Sequence, residues 1–501
     1  MPFLKKIKFP TAHTVLFLIL AIVSLLTWVI PSGQFERLAY DSKNDLFIRS
    51  SVDKIIELPA TQATLTNLDI QIPLEKFTSG ALSKPISIPN SYTSISSRPQ
   101  NLVNFIQAPL KGIMQSADII LLVLIIGGLV QIVNATKAFE AGIAWLGNQL
   151  QGKEYILIIL VMTLIALGGT TFGLEEETIA FYPILIPIFL AAKYDALVCI
   201  GTIYIGSSIG TMASTVNPFS SIIASDAAGI NWTEGLYGRL LMLILGLIIC
   251  IAYIIRYAQK VKKDPRSSII YSQKEAIEKK FADIDFTKTI KLDWKLKFVL
   301  FLFASCFIVM IYGVSQLNWW FLEMTSIFLA GALIIGVLMR MNEKLFVQEF
   351  ISGAKDLLGV AFIIGIARGV TVLMEDGQIS DTLLYYTSQI TSGMEKGLFI
   401  NVSYLLYSGL TFFIPSSSGM AVLTMPIMAP LSDTAGIDRS IMVNAYQYGT
   451  GLFKFINPTG IILASLAIVN IGYDKWLKFV WPLVCIIAIL GILMLTLSVY
   501  L

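Results

Sequence analysis

Asn217-Pro-Phe-Ser-Ser-Ile-Ile-Ala-Ser225 and Asn457-Pro-Thr-Gly-Ile-Ile-Leu-Ala-Ser465 agree at five of nine positions, 240 residues apart in a chain of 501. An Asn-Pro inside an apolar stretch stops a helix, because proline has no N–H to donate and disfavours helical backbone in the residue before it. Two helices stopped in the same way point to a duplicated plan. Working outward, Pro183 and Pro187 match Pro426 and Pro430 at an offset of 243, and Gly128 matches Gly369 at 241. A drift of three residues over so long a stretch is the mark of duplication. Gly206 and Gly210 precede the first break, and Gly449 and Gly451 the second. Without side chains, they let another backbone or a substrate come close.

Between the matched prolines and the preceding apolar run, each copy has a polar interruption. The first reads Leu167-Gly-Gly-Thr-Thr-Phe-Gly-Leu-Glu-Glu-Glu-Thr178, the second Phe412-Phe-Ile-Pro-Ser-Ser-Ser-Gly-Met420. Each reads as a re-entrant hairpin, over 168–190 and 411–432, followed by a broken helix over 196–228 and 438–470. Unpaired backbone at membrane depth is tolerated only against protein or a wet cavity, so the tips and breaks are where a site belongs.

The solvent follows from composition. Hydrophobic residues make up 55% of the chain and charged ones 14%, with mean hydropathy +0.75, against about a quarter charged in soluble proteins. Apolar runs able to cross roughly 30 Å of hydrocarbon recur along the chain, so the bilayer is a partner over its whole length. Segment 1–31 reads as a retained first span after Lys5, Lys6 and Lys8, and 32–100 as a polar extracytoplasmic segment with some strand content. The N-terminal repeat is 101–258 and the C-terminal repeat 296–501. Spans are expected near 117–134, 154–169, 236–257, 297–314, 318–339, 355–374, 397–413 and 476–499, with an interfacial piece over 138–151.

The loop 259–295 carries Lys260, Lys262, Lys263, Arg266, Lys274, Lys279, Lys280, Lys288, Lys291 and Lys295, which makes it cytoplasmic by the positive-inside tendency. Counted from a cytoplasmic N-terminus, the plain spans and the first interrupted region put five crossings before it, which would place it outside. One hidden crossing in each half removes the conflict, and would leave the two copies inverted. The fold class expected is an all-α polytopic membrane protein with two inverted repeats.

Glu175, Glu176 and Glu177 at the first tip call for a cation or protons, since carboxylates inside a membrane cost several kcal/mol without a partner. The bland alternative is that they stabilise the N-terminus of the following half-helix. Ser416, Ser417, Ser418 and Gly419 at the second tip suit a carboxylate, held by hydroxyls and a helix N-terminus. Thr178, Asn217 and Asn457 complete the expected lining. Thr215, Asn217 and Asn457 are the candidate coupling-ion ligands. Lys454 could hold a substrate carboxylate or snorkel to an interface, and Arg368 pairs with a protein carboxylate or meets substrate. Cys199, Cys250, Cys306 and Cys485 read as packing residues, and His13 is the single histidine. There is no metal spacing, no nucleophile elbow and no phosphate-cradling glycine loop, so an enzyme, a cofactor, ATP drive and nucleic acid are not expected.

The stretches 169–183, 214–219 and 414–430 resemble the family of C4-dicarboxylate anaerobic carriers, in its YfcC-like branch, within the ion transporter superfamily. The resemblance covers the chain from about residue 100 on. It implies a bacterial inner-membrane carrier, a homodimer, and elevator-type alternating access between scaffold and transport domains. The family name implies dicarboxylates; this branch implies exchange of basic amino acids of the arginine and ornithine type. Three glutamates at one tip favour the latter by charge complementarity. The alternative is a Na+- or H+-coupled carrier of C4-dicarboxylates or short-chain carboxylates.

Overall fold

The computed structural model describes residues 10–501 apart from 53, 83, 150–152, 282–291, 318 and 392. Lys5, Lys6, Lys8, Lys288, Lys291 and the end of the 138–151 piece therefore lie outside the described residues. Eight described helices are long and apolar enough to cross a membrane.

The helices fall into two series in the same order. The first is α1 (Ala12–Val29), α2 (Leu102–Gln115), α3 (Ala117–Ala135), α4 (Ala138–Gln149), α5 (Tyr155–Phe172), α6 (Tyr182–Ala191), α7 (Ala196–Met212), α8 (Ile223–Ala227) and α9 (Leu236–Lys263). After α10 (Trp294–Gln316) come α11 (Phe321–Leu338), α12 (Glu343–Asp356), α13 (Leu358–Gly377), α14 (Ser380–Thr391), α15 (Lys396–Phe413), α16 (Ser417–Thr434), α17 (Arg439–Lys454), α18 (Ile462–Ile468) and α19 (Tyr473–Tyr500). From α2 to α7 each helix starts about 241 residues before its counterpart, except that α6 is preceded by a 3-10 turn, Glu176–Phe181. The packing is reciprocal: α2 lies on α13 and α3 on α12, while α5 packs on α7 as α15 packs on α17. Where α2–α3 crosses α12–α13, a Cβ on Gly112 would meet the Gly365 carbonyl, and one on Gly353 the Gly127 carbonyl.

Polar contacts give the two copies opposite senses. Glu154, before α5, pairs with Lys262 at 2.7 Å. Asp195, after α6, accepts hydrogen bonds from Tyr257 at 2.8 Å and Ser268 at 2.5 Å. Both ends of the first hairpin therefore lie at the basic-loop end of α9. In the second copy Tyr500, at the far end of α19, donates to Glu395 before α15 at 2.6 Å. Arg439, after α16, donates to Asp433 and to the Ala228 carbonyl beside the start of α9. The second hairpin thus opens on the opposite face. Between the hairpins, α7–α8 and α17–α18 run from face to face in opposite directions.

These contacts change the crossing count. The stretches 154–169 and 397–413, given above as separate spans, are the first arms of the two hairpins (α5 and α15), and each hairpin returns to the face it came from. Four passages (α1, α2–α3, α7–α8 and α9) then precede the basic loop, and its charge conflicts with nothing. No hidden crossing is needed. The helix α10, without a counterpart in the first series, is the odd passage that reverses the second copy.

Residues 33–94 form the strand-containing segment. Strands β1 (Gly33–Gln34), β2 (Arg37–Asp41), β3 (Leu46–Ser50), β4 (Ile55–Pro59), β5 (Ile86–Ser87) and β6 (Thr93–Ser94) make a four-stranded sheet in the order β4-β3-β2-β5 and a separate β1–β6 pair. Leu38, Phe47 and Ile86 bury one sheet face against Leu65 and Phe77 of two short helices. The segment sits on the face opposite the basic loop, held by Arg37–Asp381 at 2.7 Å and Lys76–Asp226 at 2.6 Å. Cys199, Cys250 and Cys306 are buried, whereas Cys485 is exposed on α19 and is not a core residue of this chain.

Candidate substrate site

Both tips and both breaks open on one cavity of about 370 Å³. The first arm ends at Gly173, whose backbone is left-handed (φ +78°) and closely overlain by the Asn217 side chain. A residue with a Cβ would be strained there and would press on that side chain. The chain then runs through Leu174 and Glu175 before the 3-10 turn. At the second tip α16 starts at once, with Ser416 as its N-cap accepting from the Gly419 N–H at 3.1 Å. The breaks are built alike. The Asn217 side-chain oxygen Oδ1 accepts from the Phe219 N–H at 2.9 Å, and that of Asn457 from the Thr459 N–H at 3.0 Å and the Thr459 hydroxyl at 2.7 Å. Each asparagine side chain thus satisfies an N–H at the start of the segment that follows the break.

Of the expected residues, Glu175, Glu176, Glu177, Asn217, Ser416, Ser417, Ser418, Lys454 and Asn457 line this cavity. Gly419 lines an adjoining one, toward the sheet. Thr178 and Thr215 do not line it. The Thr178 hydroxyl donates to the Glu175 carbonyl at 2.5 Å, and that of Thr215 to the Thr170 carbonyl at 3.2 Å. Both hydroxyls are used to fold the tip and the break.

The three glutamates are not equivalent. Glu175 forms an ion pair with Lys454 at 2.5 Å, which joins the first tip to the second break. Lys454 is committed there, and its carbonyl accepts from the Tyr204 hydroxyl at 2.6 Å. Glu177 is buried and accepts from the Glu175 N–H at 3.2 Å. Among the described residues no basic side chain is in ion-pair distance of Glu176 or Glu177. Arg368 lines the cavity and its Nε donates to Gln115 at 3.1 Å, so its expected carboxylate partner is replaced by an amide.

Three features were not legible in the sequence. Lys84, from the sheet segment, reaches the cavity and donates to the Ser418 hydroxyl at 2.6 Å. Burial, and after it the Arg368 guanidinium, hold its ammonium below the usual lysine range. Trp319 and Trp320, in the turn between α10 and α11, form an aromatic wall with Phe219, whose ring meets that of Trp320 edge-on at 5.0 Å. Tyr204, inside the fully buried α7, supports Lys454. The adjacent tryptophans were the one local signal available; Lys84 had none.

The profile of the C4-dicarboxylate anaerobic carriers, DcuC, matches residues 9–500. The chain belongs to this family. It is a polytopic membrane transporter and not an enzyme. An uncharacterized protein of Haemophilus influenzae Rd is 42% identical over 499 residues, covering 99% of this chain and 98% of its own. YfcC of Escherichia coli K12, named as a proposed basic amino acid antiporter, is 29% identical over 489 residues, covering 94% and 92%. Two solved transporters align over nearly full length at low likeness. YdaH of Alcanivorax borkumensis shows 12% identity and a TM-score of 0.39, covering 97% of this chain and 98% of its own. MtrF of Neisseria gonorrhoeae, described among antimetabolite efflux pumps, shows 13% and 0.40, covering 99% and 96%. Likeness at that level bears neither on substrate nor on mechanism.

Proposed function

We propose that this chain is a secondary carrier of basic amino acids, of the arginine and ornithine type, working by exchange or uptake. The observation that carries the reading is the pair Glu176 and Glu177, which face the cavity without a basic partner among the described residues while Glu175 is neutralised by Lys454. Two carboxylates held away from bulk water need a cation, and a substrate bringing an ammonium and a guanidinium supplies two. The aromatic wall of Phe219, Trp319 and Trp320 adds a face suited to a guanidinium plane. The serine tip, at the start of α16, takes the α-carboxylate. The printed name of YfcC points the same way.

In this reading the hairpin tips move with the substrate while α10 and α11 stay in the bilayer, and the working form is a homodimer in a bacterial inner membrane with loop 259–295 cytoplasmic. Na+ coupling would use the Asn217 and Asn457 breaks, with Thr215, its hydroxyl committed, contributing its backbone alone, whereas H+ coupling would need a carboxylate of the acidic tip.

A second reading has its own observation. Lys84, Arg368 and Lys454 bring as many cations to the cavity wall as there are glutamates, which suits a dicarboxylate coupled to Na+ or H+. Uptake of labelled arginine and of labelled succinate into proteoliposomes, with and without a Na+ gradient and with ornithine inside, separates the two. Arginine uptake stimulated by internal ornithine is the expected result. Succinate uptake driven by a cation gradient, with no response to arginine, overturns the amino-acid reading.

A further inference from the structure

The sheet segment does more than cover one face of the molecule. Strand β5 packs along α16, the second arm of the second hairpin, and so fixes the residues just before it over the serine tip. Lys84 lies two residues ahead of β5, followed by Pro85, and its ammonium is 2.6 Å from the Ser418 hydroxyl. It lines both the substrate cavity and the adjoining one, which runs from Ser416 and Gly419 to Arg37, Ser50 and Ser51 of the sheet. Substrate moving between the sheet face and the tips passes this ammonium.

Lys454 is engaged by Glu175, and Arg368 is turned toward Gln115. Lys84 is the cation whose partner is a neutral hydroxyl, an exchangeable contact that a carboxylate replaces at a gain, because a full negative charge attracts the ammonium more strongly than a hydroxyl dipole does. The geometry points to Lys84 as the residue of the extramembrane segment that binds the substrate carboxylate at the second tip, releasing Ser418 as it does so. The assignment rests on the carboxylate-bearing substrate of the proposed function and holds for either substrate class.

The test compares wild type, Lys84→Met and Lys84→Arg in detergent and in proteoliposomes, using arginine, its decarboxylated analogue agmatine, and succinate. Arginine or succinate affinity should fall on the order of tenfold in Lys84→Met and return largely in Lys84→Arg. Agmatine, without a carboxylate, should bind wild type and Lys84→Met alike. In wild type, an amine-reactive reagent in excess over the ligand amines should label Lys84 more slowly, relative to the exposed Lys344 of the same chain, with arginine or succinate present than with agmatine, read by peptide mass spectrometry. Unchanged affinity of Lys84→Met for the carboxylate ligand, or labelling indifferent to that ligand, overturns the assignment. Wild type that takes succinate and refuses arginine sinks the amino-acid reading alone, and Lys84 is then judged on succinate.

Discussion

The two hairpin tips have nearly the same backbone plan and opposite chemistry. The first carries Glu175, Glu176 and Glu177 on a stretch that enters its helix through a 3-10 turn; the second carries Ser416, Ser417 and Ser418 and enters its helix directly. Each takes a lysine from elsewhere: Lys454 of the second break for the acidic tip, Lys84 of the sheet for the serine tip. The two tips are alike in backbone plan, while their side chains make one anionic and the other neutral. In the proposed reading, a cavity with these two sides would orient a substrate with a cationic and an anionic end.

The sharpest way to break this comparison is to remove charge from the acidic tip. Glu176→Gln and Glu177→Gln should each lower the initial transport rate by roughly a hundredfold, the equivalent of about 3 kcal/mol, with unchanged elution as a folded species. Glu175→Gln should be milder, because its charge serves the protein's own ion pair. Normal uptake in all three variants would remove the acidic tip from the site.

A second test concerns that pair. Its side chains are 11% and 23% exposed, so Lys454→Met strands a carboxylate and should destabilise the protein by about 3 kcal/mol. Combining it with Glu175→Gln should recover most of the melting temperature. A double variant as unstable as Lys454→Met would mean that Lys454 acts through something other than Glu175.

The shared backbone can be probed through one glycine of each broken helix that faces the first arm of its hairpin. A Cβ on Gly210 would lie 2.3 Å from the Ala166 carbonyl oxygen, and one on Gly449 would lie 2.5 Å from that of Tyr404. Neither backbone can yield as a flexible side chain would. Gly210→Ala and Gly449→Ala should each reduce stability by about 1 to 3 kcal/mol, and by similar amounts if the hairpins pack on their broken helices alike. A large difference in thermal melting would show that the copies have diverged in packing as well as charge.

The smallest effect belongs to the serine tip. Ser416→Ala removes the N-cap of α16 and should lower stability by about 1 kcal/mol, measurable as a small shift in melting temperature. An unchanged melt would mean that the α16 end is held by the Tyr446 hydroxyl on the Ser417 carbonyl and not by its cap.

Much of the plan was present in local sequence. Asn217-Pro218 and Asn457-Pro458 marked both breaks, because a missing N–H acts on its own turn whatever surrounds it. The repeated prolines and glycines placed both hairpins. The extent of both hairpins was misread: the runs 154–169 and 397–413 were each read as a separate span, and hydropathy does not tell an arm that returns from a span that continues. That was decided by contacts between distant residues, Glu154 with Lys262 and Asp195 with Tyr257.

The sequence by itself determined a membrane-embedded, duplicated chain with two helix breaks and two polar tips, since composition and backbone chemistry are properties of neighbouring residues. Only the tertiary structure decided which charges are free. It paired Glu175 with Lys454 across 279 positions and brought Lys84 to Ser418 across 334. Coulomb interactions depend on distance in space, and no residue's immediate sequence records what will stand beside it after folding.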